Sequence, residues 1–170
     1  MKIGIISDTH DNLLQIKKAV TLFNREKVDL VLHAGDFTSP FTALGFKNLH
    51  SPFIGVFGNN DGDKLYLREK FKEIGKIFPP PYISLLNDQR TIMLHREKLI
   101  DALIESRKYN IIIYGHTHHV DLRKINNSLV INPGECGGWL TGVSTVALLQ
   151  IKDLSAKIIN LENNSIISSI

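Results

Sequence analysis

The 170-residue sequence predicts an α/β fold in which two β-sheets pack face to face with helices outside. Three observations predict it. In the first half, short apolar runs alternate with amphipathic stretches, the pattern of parallel strands joined by crossover helices. In the second half, β-branched strands follow one another with turn signals between them and a single helical stretch. Five of the apolar runs end directly in acids, amides or histidines, at the sheet edge where α/β proteins bind ligands.

The elements follow in order. Residues 3–7 form the first strand. Leu13, Ile16, Ala19, Val20 and Phe23 recur at helical spacing and predict a helix over 12–27. Residues 28–33 are a second strand, 41–49 a short helix and 53–57 a third strand. Leu65, Leu67, Phe71 and Ile74 mark the buried side of a helix over 63–74. Residues 82–86 and 91–95 pair as a hairpin about the turn-like Asn87-Asp88-Gln89-Arg90. A helix over 97–107 leads into a strand over 111–114. Strands over 120–125, 129–131, 143–151 and 156–161 follow, separated by Asn-Asn, Pro-Gly and Asp turn signals.

Composition narrows the functional classes. The length prior gives one domain, residues 1–170, and 43% hydrophobic content is enough for a substantial core. No apolar stretch approaches the roughly 20 residues that span a membrane, and the N-terminal apolar run is too short for a signal peptide. The single cysteine, Cys136, cannot form an internal disulfide and suits a reducing cytoplasm. The net charge of +3 is spread among acids, as on a solvated helix face. It favours anionic ligands but lacks the dense basic run of a nucleic-acid footprint. The sequons at Asn126 and Asn163 read as turns.

The polar residues at the strand ends carry the functional signal. The first strand runs into Asp8-Thr9-His10 and the second into Gly35-Asp36. The third runs into Gly58-Asn59-Asn60-Asp61. Two later strands run into His95 and into Gly115-His116-Thr117-His118. Two imidazoles at i and i+2 just past a buried strand can converge on a metal. Carboxylate, imidazole and amide donors without thiolate favour manganese, iron or zinc over a sulfur-ligated structural zinc. Seven candidate donors exceed what one ion needs, so two ions sharing a carboxylate are the natural reading.

Asp8-x-His10, Gly35-Asp36, Gly58-Asn59 with Asp61, His95 and Gly115-His116-x-His118 occur in the order seen in the calcineurin-like metallophosphoesterases. The short chain resembles their small YfcE-type phosphodiesterase branch, over about residues 1–135. The resemblance implies a four-layer α-β-β-α sandwich with two mixed sheets. It implies that Asp8, His10, Asp36 and His118 hold one divalent ion. Asp36, Asn59, His95 and His116 would hold the other, with Asp36 bridging. Asp8, Asp36, Asn59 and His95 would be the catalytic set. The ions would be Mn²⁺ foremost, with Ni²⁺, Fe²⁺ or Zn²⁺ as alternatives. A metal-bridging hydroxide would attack a small-molecule or nucleotide-like phosphodiester in line. A phosphomonoesterase shares this chemistry. A non-catalytic scaffold, similar to the retromer small subunit, is the competing class. Small members often self-associate, which implies a homo-oligomer.

Two departures stand out. The phosphatase members carry Gly-Asn-His-Asp, whose histidine protonates the leaving group; here the run is Gly58-Asn59-Asn60-Asp61. Asn60 cannot act as a general acid, which predicts slow turnover or a preference for good leaving groups such as aryl diesters. The family's His-Gly pair is His95-Arg96 here, so this loop is expected to be shortened or rebuilt, with Arg96 either a phosphate contact or a solvated residue at a helix start. His33 reads as structural or as a support to the ligands, His50 as exposed, and His119 as a substrate contact or a surface residue. Asn132 in Asn132-Pro133-Gly134 reads as a support to the histidine loop. Cys136 and Trp139 read as packing or surface residues.

Overall fold

A computed structural model describes residues 1–170. In chain order the elements are β1 Lys2–Ile6, α1 Leu13–Arg25, β2 Leu30–His33, α2 Ala43–Phe46, β3 Phe53–Val56, α3 Lys64–Phe71 and β4 Gly75–Phe78. Then come β5 Tyr82–Leu86, β6 Gln89–Met93, α4 Ile100–Ser106, β7 Ile111–Ile113, β8 Val120–Ile125 and β9 Ser128–Pro133. The chain ends in β10 Thr145–Gln150, β11 Ser155–Asn160 and β12 Ile166–Ser169. Single 3₁₀ turns, Pro40–Thr42 and Glu97–Leu99, precede α2 and α4.

The strands form two mixed sheets. One runs β12-β11-β10-β1-β2-β3-β4, the other β5-β6-β7-β9-β8. β1 to β4 are parallel, as alternation with α1, α2 and α3 demands, and β10 joins β1 antiparallel. β6, β7 and β9 are parallel in the second sheet, with β5 and β8 antiparallel on its edges.

Side-chain alternation builds the layers. Ile3 and Ile5 of β1 join Ile111 and Ile113 of β7 in the core between the sheets. Ile6 faces the other way and packs with Ile16, Phe23 and Phe46 under the helices of the first sheet. Gly4 shares that face, because a Cβ there would lie 2.7 Å from the Phe23 ring. Ile112 turns outward to meet Ile100 and Ile104 of α4. The result is the expected α-β-β-α order. No helix is long and apolar enough to cross a membrane.

Local signals explain the boundaries. Asn12 caps α1 by accepting from Gln15 N (3.3 Å), and Asp63 caps α3 through Tyr66 N (3.0 Å). Asn87 and Asp88 both take positive φ, which closes the β5–β6 hairpin two residues earlier than the tetrad suggests. Asn126 and Asn164 also turn the chain at positive φ.

The expected helices over 41–49, 63–74 and 97–107 are each shorter than their apolar patterns. Phe41 and Leu44 are 68% and 58% exposed, and the buried face of α2 is carried by Ala43 and Phe46 instead. α3 stops at Phe71 because Gly75 starts an unexpected strand, β4. β12 was also not expected: it is an edge strand whose residues are mostly exposed.

Candidate metal centre

The loops after β1, β2, β3, β6 and β7 meet at one edge of the sandwich. Backbone bonds lock them together: Asp8 N donates to Gly35 O, Thr9 N to Asp36 O and Gly115 N to His95 O, each at 3.0 Å. Asp8, His10, Asp36, His116 and His118 all sit at positive φ, between 40° and 70°. Such backbone is disfavoured for residues with side chains, and its clustering marks a site that the fold holds in place. Gly58 and Gly115 are required by closeness. A Cβ on Gly58 would collide with the backbone and carboxylate of Asp36, and one on Gly115 with Ser7 and Asp8.

Asp8, His10 and His118 form a first group whose donor atoms lie within 4.8 Å of one another. Asp8 Oδ2 accepts from Ser7 Oγ (2.6 Å) and His116 N (3.0 Å), while its Oδ1 is buried with no hydrogen-bond partner. That orphaned oxygen faces His118 Nε2 at 3.5 Å and His10 Nε2 at 3.9 Å. His118 Nδ1 donates to the Glu135 carboxylate (2.9 Å), so in the neutral ring Nε2 is a bare lone pair. His10 Nδ1 is engaged by Thr38 Oγ1 (3.1 Å), and its Nε2 lies 3.4 Å from that of His118. Asp8 Oδ1 and the His118 Nε2 lone pair face each other as acceptors, and a cation between them satisfies both.

Asp36, His95 and His116 form a second group within the same 4.8 Å limit. His95 Nδ1 donates to Ala34 O (2.8 Å), which aims Nε2 at Asn59 Oδ1 (3.1 Å) and Asp36 Oδ1 (3.3 Å). Asp36 lies between the two groups, because its Oδ2 is 3.6 Å from His10 Nε2. All seven expected donors are thus brought together, and the donor set suits hard to borderline divalent ions.

The electrostatics point the same way. Burial pushes the Asp8 carboxyl above its ordinary value, more than His95, Ser7 and His118 pull it down. Burial pushes Asp36 up as well, but His95 beside it and the Asn60 N–H hold it far below the usual carboxylate range. Burial opposes charge on His95, yet Asp36, with Asp8 further off, holds its imidazole above the ordinary value. Negative charge concentrated here calls for positive charge between the groups.

Several supporting residues escaped the sequence reading. Glu135 is fully buried, and its carboxylate accepts from His118, from the Trp139 and Leu140 backbone (both 3.0 Å) and from the Thr141 hydroxyl (2.7 Å). Burial pushes Glu135 up, but Thr141 and His118 outweigh it and hold the carboxyl below its ordinary value. The only signal was its place directly after Asn132-Pro133-Gly134. From the sequence, Asn60 stands out only as a missing general acid. It clamps both Asp36 oxygens instead, through its backbone and side-chain amides, each at 2.8 Å. Asp61 accepts from Thr38 N (2.9 Å) and Gly58 N (2.6 Å), tying two of the loops together. Glu97 Oε2 has no hydrogen-bond partner and lies 3.8 Å from His116 Nε2.

The remaining residues fall into place. His33 is buried, accepts from Gly35 N through Nδ1 and contacts Thr9 Oγ1 through Nε2, both at 3.1 Å. Burial holds it well below its ordinary pKa, so it supports the loops as a neutral ring. Asn132 donates to Gly115 O and Thr117 Oγ1, both at 3.0 Å, and so props the histidine loop. His50 and His119 are exposed. Cys136 packs under the helices, and Trp139 is exposed with Nε1 donating to His10 O (3.1 Å).

Comparison with known proteins agrees with this geometry. The chain is 41% identical to phosphodiesterase MJ0936 of Methanocaldococcus jannaschii, over 95% of its own length and all of that protein's. It superposes on the solved structure of an archaeal phosphodiesterase with a TM-score of 0.89 at 39% identity, covering 94% of this chain and 99% of that one. The Escherichia coli phosphoesterase YfcE shares the fold at a TM-score of 0.76 and 20% identity, covering 100% of this chain and 98% of that one. Zinc-bound Vps29 of Entamoeba histolytica also shares it, at 0.72 and 17%, over 100% and 98%. The model of the calcineurin-like phosphoesterase superfamily domain matches residues 1–154. This chain therefore belongs to the calcineurin-like phosphoesterase superfamily, whose activity depends on divalent metal ions.

Proposed function

We propose that this chain is a dinuclear phosphodiesterase, acting as one domain over residues 1–170. The observation that carries the reading is Asp36, one carboxylate with an oxygen toward each of two donor groups. Asp8, His10 and His118 would hold one ion with Asp36, and Asn59, His95 and His116 the other. When bound, two such ions supply an acidified water and positive charge against the reacting phosphate. Mn²⁺ is our first choice of metal, since the donors are oxygen and imidazole with no thiolate.

The chain's own residues do the positioning. Ala34 O and Glu135 orient the His95 and His118 rings, and Asn60 orients Asp36. Asp8 and Asp36 bring the negative charge that holds the ions. No imidazole stands where the family's leaving-group histidine would be, because that position is Asn60. Leaving groups must then depart with little protonation, which favours aryl diesters. The mild positive charge of the chain suits an anionic substrate, and a cytoplasmic setting suits the buried free thiol of Cys136.

The test is to strip the protein with chelator and restore Mn²⁺, Ni²⁺, Zn²⁺ or Mg²⁺ singly. Activity on an aryl phosphodiester is then compared with activity on an aryl phosphomonoester. Metal-dependent cleavage favouring the diester is expected; monoester preference or metal-independent activity contradicts the reading.

Asn60→His should raise turnover of poor, alkyl leaving groups relative to aryl ones by roughly 10²-fold, the lower end of general-acid catalysis. Absolute rates should rise less, because the variant loses the side-chain bond to Asp36 Oδ2. The alkyl-to-aryl ratio of kcat/KM checks this; an unchanged ratio shows that the leaving group needs no proton.

A further inference from the structure

A cavity of about 800 Å³ opens beside the second donor group and shares Asn59 and His95 with it. Its walls are largely apolar: Phe57, Ile92, Leu94, Leu99, Leu103 and Tyr109 line it. Leu99 is 60% exposed, so this apolar surface is open to solvent. Lys64, Arg96 and Lys98 also line it, and no aspartate or glutamate does. None of these three cations has an acidic partner within 4.0 Å. The loop after His95 forms one side of the cavity. It continues through Arg96 into the 3₁₀ turn Glu97–Leu99, which places Arg96, Lys98 and Leu99 on the wall.

We propose that this cavity binds one ester arm of the substrate and selects a nucleotide-class arm: a flat ring carrying a second phosphate. The inference rests on the phosphodiesterase reading and specifies its substrate. Three arguments carry it. A phosphate held among Asn59, His95 and Asp36 would present one of its two arms to the cavity, since Asn59 and His95 belong to both. The volume falls within the range of about 300–1,000 Å³ typical of small-molecule sites. The lining joins apolar and aromatic walls to three cations without an acidic partner, one of them, Lys64, over the Phe57 ring; that is more positive charge than the single negative charge of a diester requires. An aliphatic arm would leave the cations without a partner, and a bare second phosphate would leave the apolar walls uncovered.

Three p-nitrophenyl diesters with the same leaving group test this on the metal-loaded protein. Their second arms are methyl, thymidine, and thymidine bearing a further phosphate. kcat/KM should rise about tenfold from methyl to thymidine, as burial of an apolar ring implies. It should rise severalfold again with the added phosphate. Arg96→Ala with Lys98→Ala should remove the second gain, and Leu99→Asp should shrink the first. These positions are exposed, so the core is spared. Calorimetric binding of thymidine bisphosphate to the same proteins gives an independent reading, with affinity falling about tenfold or more in the double variant. Equal kcat/KM on all three diesters, or binding insensitive to the substitutions, overturns the cavity assignment. Failure to cleave any diester overturns the phosphodiesterase reading, and the calorimetric comparison still decides the cavity.

Discussion

Asp36→Asn should abolish diester hydrolysis, lowering turnover of an aryl phosphodiester by more than about a thousandfold at saturating metal. Paired ions contribute several kcal/mol of charge stabilisation, and each 1.36 kcal/mol is about a factor of ten in rate. Asparagine keeps the shape of the side chain but removes the charge that faces both donor groups. Its amide would also meet Asn60, which now donates to both Asp36 oxygens. The Asp36 carboxyl lies far below the usual range, so its full negative charge is present at every working pH. Steady-state assays across a metal titration check the expectation. Turnover within tenfold of the parent protein would show that Asp36 does not join two ions.

The second large effect lies outside the donor set. Glu135→Ala should cost about 2–4 kcal/mol of stability, because the His118 ring N–H and three backbone N–H groups all converge on this one buried carboxylate. At this chain length that is a fall of about 10 °C in Tm. Glu135→Gln is the finer probe. It keeps the volume and one acceptor oxygen but removes the charge that fixes the His118 tautomer. Metal affinity at the Asp8, His10 and His118 group should fall about 10–100-fold, as for other supports of a ligating histidine. Calorimetric metal titration separates this from simple unfolding. Unchanged affinity in Glu135→Gln would make Glu135 a loop anchor only.

The sequence spoke most clearly where strands are buried on both faces. β1, β2 and β7 are unbroken apolar runs, so their existence and their polar endings were readable together. The edge strands were not. β4 has a single buried residue, Ile77, and β12 is largely exposed, so neither shows the alternation that betrays a strand. The buried faces of the helices were harder to read for a related reason: Phe41, Leu44 and Leu65 fit an apolar pattern but lie in solvent.

The site divides in the same way. Donor residues stand at strand ends in recognisable spacings, and all seven expected ones converge. Their supports obey no spacing. Glu135 acts through a ring 17 positions earlier, and Asp61 through backbone N–H groups of two different loops. Asn60 shows how a substitution read as a loss can have its own contact: the residue that cannot donate a proton to a leaving group holds the carboxylate on which both donor groups converge.

The number of ions that activity requires tests the central claim most directly. Chelated protein is titrated with Mn²⁺ while hydrolysis of an aryl phosphodiester and bound metal are followed together. A dinuclear centre joined by Asp36 predicts little turnover after the first equivalent and a plateau at two per chain. A plateau at one equivalent, or full binding of two without turnover, would contradict it.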